Sequence, residues 1–156
     1  MAKFFTLTLS HTIVGMAGFA LGIYALPILT APSAPSVDQM AAASGQVLYQ
    51  AEFKRDLKDS DFLHWGEGRL LVGRDFISLK GELAPGPNYI LYLSPQFVET
   101  EDDFKRLKPQ MTAVGDVRTF ENFIVSVPEG VDPSQYTSAI VWCESFDQFI
   151  TAAKYR

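Results

Sequence analysis

One stretch near the C-terminus, Ser138-Ala139-Ile140-Val141-Trp142-Cys143-Glu144-Ser145-Phe146, restricts the fold more than any other. Side chains alternate across an extended chain, so Ala139, Val141 and Cys143 share one face, and Ile140 and Trp142 share the other. Both faces are apolar, which predicts a central buried strand rather than an edge strand. The single cysteine of the chain sits in this strand, directly after a tryptophan. A thiol there is either a small core residue or the reason the domain exists.

The chain around it reads as further short strands. Val47, Tyr49, Ala51 and Phe53 alternate with Leu48, Gln50 and Glu52, a period-2 pattern. Residues 63–72 contain Gly66 and Gly68, which predict short strands broken by a bend or bulge, with residues 69–72 extended. Residues 76–83 alternate again. The prolines and glycine of residues 84–88 cannot continue a ladder, so they predict a loop before a buried strand at residues 89–93. Residues 99–108 form a polar interruption, read as one irregular helical turn around Phe104 and Leu107. Strands follow at residues 111–114, 120–127 and 137–143, divided by Gly115-Asp116 and by Pro128-Glu129-Gly130. The final segment, with Phe146, Gln148 and Ile150 alternating, suits a strand and also tolerates a helix. Many short strands and no long helical repeat predict an all-β domain, an antiparallel β-sandwich or flattened barrel. Trp65 is expected to pack inside it.

Residues 12–29 read TIVGMAGFALGIYALPIL without a charge. With Phe4, Phe5, Leu7 and Leu9 upstream, the apolar region approaches the ~20 residues needed to cross a bilayer. A cleaved signal has a shorter apolar core, and both small-x-small candidate sites here are followed by proline, so an uncleaved transmembrane anchor over residues 1–30 is expected. Lys3 precedes the segment and no base follows until Lys54, which places the N-terminus inside and the domain on the periplasmic or extracellular side of the cytoplasmic membrane. Tyr24 suits an interfacial anchor. Residues 31–45 are Pro/Ala/Ser-rich and read as a semi-extended linker, with the folded domain starting near Gln46.

All 18 acidic residues fall at or after Asp38, against a net charge of −5 for the chain. An acidic domain without a Lys/Arg cluster is a poor nucleic-acid binder, because phosphates need several cationic contacts. One cysteine excludes an internal disulfide and a cysteine-built zinc site. No Gly-x-Ser-x-Gly, phosphate-binding loop or dinucleotide fingerprint occurs, so hydrolase, kinase and dehydrogenase readings find no support.

Several segments together carry a resemblance. They are the Gly-rich bend after His64, the loop and strand Pro85-Gly86-Pro87-Asn88-Tyr89-Ile90-Leu91-Tyr92-Leu93-Ser94, and Asn122-Phe123-Ile124-Val125-Ser126-Val127-Pro128. With them go Val131-Asp132-Pro133-Ser134-Gln135-Tyr136 and the closing Ile140-Val141-Trp142-Cys143-Glu144-Ser145-Phe146. The chain resembles the DM-thirteen domain, the "electron transfer DM" family of extracytoplasmic β-domains, across its whole folded part. The resemblance implies redox chemistry at the cysteine, as a bare thiol or by holding a prosthetic group such as haem. Here that residue is Cys143, with Trp142 and Phe146 completing the motif. No haem-attachment motif is present.

Two readings therefore stand side by side. In one, Cys143 is the centre of a membrane-tethered redox or electron-transfer component that is not a turnover enzyme and meets an envelope redox partner. In the other, it is core packing in a cell-envelope module that binds a ligand or mediates adhesion. His64, the only histidine outside the anchor, together with Tyr89 and Tyr92, marks a candidate pocket. The acidic cluster Glu99, Glu101, Asp102 and Asp103 matches no calcium loop and reads as solvated.

Overall fold

The computed structural model describes residues 1–43 and 47–156, so the expected domain start at Gln46 lies outside the described residues. Eight strands form two four-stranded antiparallel sheets. The first sheet takes β1 (Val47–Phe53), β2 (Gly66–Gly73), β3 (Phe76–Leu83) and β6 (Glu121–Ser126), in the order β1-β2-β3-β6. The second takes β4 (Tyr89–Ser94), β5 (Thr112–Val117), β7 (Ser138–Cys143) and β8 (Gln148–Lys154), in the order β5-β4-β7-β8. The expected β-sandwich is the observed fold.

The two apolar faces of β7 find separate partners. Ala139, Val141 and Cys143 point between the sheets, into a core shared with Leu70, Ile77 and Leu79 of the first sheet. Ile140 and Trp142 point outward, into a second cluster with Phe104, Leu107 and Phe149. That outer layer is closed by α3 (Glu101–Leu107). Thr100 caps this helix by accepting a hydrogen bond from the Asp103 N–H, and Glu101, Asp102 and Asp103 occupy the first turn, where the helix dipole favours acids. Lys105 and Arg106 occupy the last turn, at the end where cations are favoured, and Phe104 and Leu107 at spacing i, i+3 face the sheet. The acidic cluster is therefore the start of a capped helix. Its charges pair with neighbouring bases, as in Arg106–Asp103 at 2.6 Å and Lys58–Glu99 at 3.4 Å.

Several local expectations are corrected. Gly115 and Asp116 do not divide two elements but lie within β5, opposite Leu91 and Ile90, at an edge strand whose pairing shifts beside them. An edge tolerates a glycine bulge that a central strand would not. Gly66 and Gly68 do not break β2 either. Gly68 has φ +124° and faces Gly81 of β3, and a Cβ on Gly81 would stand 2.0 Å from the Glu67 carbonyl oxygen. The glycines serve close approach of two backbones, not a bend between strands. The final segment is the strand β8. Trp65 is half-buried outside the sandwich core, with the Arg55 guanidinium stacked 3.3 Å above its ring centre.

Helix α1 (Ala2–Thr30) buries none of its side chains and is long and apolar enough to cross a membrane. Residues 31–36 carry no regular structure, and Val37–Ala43 form a short helix, α2. Pro35 and Met40 lie beside Gln50, Arg69 and Lys80 on the outer face of the first sheet. The chain thus runs along this sheet before it enters β1.

Candidate functional site

The site forms where β4 begins and β7 ends. Tyr89 and Cys143 are antiparallel partners, so both side chains project to the same, inner face. The loop 84–88 folds back over this end of the sandwich, and the Tyr89 hydroxyl ties it down by donating to the Ala84 carbonyl at 2.9 Å. On the other side of β4, the Glu144 N–H donates to the Asn88 carbonyl at 3.0 Å, which fixes the turn that follows Cys143. Asp147 in that turn takes φ +53°, a left-handed conformation that aspartate tolerates. Phe146 is left half-exposed beside the opening.

A cavity of about 690 Å³ opens here, lined largely by apolar atoms. Cys143, His64, Tyr89 and Phe146 all line it, with Leu63 and Ile150. Its size falls within the ~300–1,000 Å³ range of small-molecule sites. Part of its wall is the C-terminal part of α1, around Leu21 and Tyr24. The remaining sequence candidates point elsewhere. Tyr92 and Trp142 lie on the opposite face of the sheet, where Tyr92 meets Phe104 edge-on and Trp142 stacks on it at 4.0 Å and 9°. The Trp-Cys pair thus serves two layers, the tryptophan outside and the thiol inside.

Cys143 is 2% exposed, and burial pushes its thiol above the ordinary range, while the backbone amides of Phe146, Ser145 and Asn88 act against that shift. Burial disfavours the charged thiolate, and amides aimed at sulfur favour it. Glu144 contributes least to the shift. Its carboxylate turns to the other face, where it accepts from the Tyr92 hydroxyl and takes both hydrogen bonds from the Lys108 ammonium at 2.8 Å. Partial burial would raise the Glu144 carboxyl, but the bonds from Lys108 and Tyr92 outweigh it and hold it below the usual range.

That pair makes a stability prediction. A carboxylate held low stabilises the fold above its unfolded range, and the contribution disappears as pH falls through the folded value. Glu144→Gln should therefore cost about 1 kcal/mol at neutral pH, a figure already reduced for the partial exposure of both partners. The difference from the unaltered chain should close in acid, as read by urea unfolding at several pH values. A cost that persists unchanged in acid would contradict the assignment.

His64 has an orienting partner that sequence inspection did not identify. Its Nδ1 lies 2.9 Å from Asp61 Oδ2, and Asp61 Oδ1 accepts from the Leu63 and His64 backbone N–H groups at 2.7 and 2.8 Å. An ionised carboxylate only accepts, so Nδ1 is the donor in this bond and the imidazole is held in one orientation. The signal was present as Asp61-x-x-His64, an aspartate poised to cap its own turn. Desolvation works to raise the Asp61 carboxyl, and the bonds from His64 and from the turn backbone lower it overall. Among the described residues no group of three His, Cys, Asp or Glu side chains is placed to hold a metal ion.

The model of one protein family, described as Electron transfer DM13, matches residues 56–155. No curated protein and no solved structure matches the chain.

Proposed function

Because the chain belongs to the electron transfer DM13 family, which carries an electron-transfer-related role, we propose that it is a membrane-tethered extracytoplasmic redox component whose working group is the Cys143 thiol. In this reading α1 is a single-pass anchor of the cytoplasmic membrane with its N-terminus inside, residues 31–45 are the linker, and the β-sandwich lies on the outer side. The observation that carries the reading is the convergence of Cys143, His64, Tyr89 and Phe146 on one apolar cavity. A structural cysteine has no need of a cavity beside it.

The chain has one cysteine and hence no internal resolving thiol. A two-electron cycle then runs through a mixed disulfide with an incoming disulfide compound or partner protein. The sulfur–sulfur bond of the reactant breaks, a new one forms to Cys143, and one reactant thiol leaves. The Cys143 proton passes to that leaving group, and the imidazole of His64, which lines the same cavity, is the group suited to relay it. Haem is not part of this reading, because the residues present do not suit it. Burial opposes the thiolate that would ligate iron, and among the described residues no Lys or Arg lines the cavity to meet the propionates.

The competing reading, a ligand-binding module with Cys143 as core packing, draws on the 2% exposure of that residue. Alkylation of the folded, membrane-inserted chain separates the two. With a working thiol, a small uncharged maleimide should modify Cys143 in the native state. The rate should be slow at neutral pH and climb above the ordinary thiol range, since the thiolate is the nucleophile and burial raises its pKa. Modification that occurs only after denaturation, at any pH, would favour core packing.

A further inference from the structure

Apart from α1, five large hydrophobic side chains among the described residues are exposed: Leu48, Phe62, Leu63, Phe97 and Phe146. Three of the five gather at the cavity end. Leu63 and Phe146 line its mouth, and Phe62, at 85% exposure, stands next to Leu63. The loop between them, residues 84–88, is Ala-Pro-Gly-Pro-Asn and carries no charge. Isolated exposed apolar residues need no explanation, but a cluster with two phenylalanines around an apolar opening does.

The course of α1 identifies what covers this cluster. Ala20, Leu21, Ile23 and Tyr24 of α1 form part of the cavity wall, so the anchor meets the domain at this end. Counting ~20 residues back from Tyr24 reaches Phe5, so one bilayer thickness ends level with the cavity wall at Tyr24. Tyr24 then stands at the outer interface, where aromatic side chains with one polar end are favoured. Anything level with Tyr24 on the domain is at headgroup depth.

We infer that the rim formed by Phe62, Leu63, loop 84–88 and Phe146 beds into the headgroup layer of the bilayer that α1 crosses, so that the cavity opens toward lipid. The insertion is driven by apolar burial. Asp61 and Asp147, the acids next to the rim residues in the chain, give anionic lipid nothing to pair with. The opposite end of the sandwich, at the turn Pro128-Glu129-Gly130 between β6 and β7, faces water. The inference rests on the anchor reading above but not on the chemistry of Cys143.

The test uses the full chain in nanodiscs of phosphatidylcholine, with and without bromine on the upper acyl chain. Phe62→Trp and Glu129→Trp are made separately, and the unaltered chain subtracts the signal of Trp65 and Trp142. Bromolipid should quench the added fluorescence of Phe62→Trp and leave that of Glu129→Trp unchanged. Equal quenching of the two, with α1 still resistant to carbonate extraction from membranes, would overturn the docking while leaving the anchor standing. Extraction of the chain by carbonate would overturn the docking together with the anchor.

Discussion

Trp142→Ala should unfold the outer layer of the second sheet and cost about 3–5 kcal/mol, a large share of the ~5–15 kcal/mol that holds a domain of this size together. Trp142 is fully buried and is stacked face to face on Phe104, whose helix it fixes to β7 and β8. Removing the indole leaves a cavity between the sheet and α3 that the Lys105 stem, on the surface above, cannot fill. Trp142→Phe should be much milder, because it keeps an aromatic face for Phe104. It also removes an indole N–H that has no hydrogen-bond partner among the described residues. Urea unfolding followed by circular dichroism separates the two variants. Equal costs would show that the stack is not what secures α3.

This layered role of β7 was legible in the sequence. Two apolar faces on a short run predicted a strand covered on both sides, and the structure supplies the first sheet on one side and α3 on the other. Strands with clean alternation, such as β1 and β3, were legible for the same reason. β5 was only half legible, because Gly115-Asp116 looks like a turn when the neighbouring strand that pairs with it cannot be seen. Likewise Gly68 and Gly81 meet across two strands, and nothing local announces that approach. Glu101, Asp102 and Asp103 read as a solvated loop because their cap, Thr100, gains meaning only once Phe104 and Leu107 have a sheet to cover.

The residues of the candidate site could be singled out in the sequence, but their grouping around one cavity could not. His64 and Cys143 are far apart in the chain, and only the folding of residues 61–64 and 84–88 over one end of the sandwich brings them to the same cavity. Tyr89 and Tyr92 illustrate the limit. Three positions apart on one strand they take opposite faces, so Tyr89 joins the cavity and Tyr92 joins α3. The contribution of α1 to the cavity wall had no sequence signal at all, since contacts between an anchor and a domain depend on where the linker leads.

Cys143→Ser is the substitution with the largest expected functional effect. Serine preserves the size of the side chain and replaces the thiol with a hydroxyl that can both donate and accept a hydrogen bond. The cost in stability should stay near ~1 kcal/mol, that of a hydroxyl in a largely apolar site. Thiol–disulfide exchange should be lost entirely, because the chain holds no other sulfur that can take part. His64→Gln should instead retain the exchange but slow it, because the imidazole that relays the proton is gone. The pair of variants distinguishes a thiol that reacts from a thiol that merely fills space.

The most direct measurement is the redox state of Cys143 in the full chain held in a bilayer. The protein is equilibrated with a small lipid-soluble thiol and its disulfide at a series of ratios, quenched in acid and weighed by mass spectrometry. A mixed disulfide that forms and reverses with the ratio, on an otherwise folded protein and absent from Cys143→Ser, is the predicted result. A mass that stays that of the free thiol at every ratio, until the protein is denatured, would contradict the account and leave Cys143 as core.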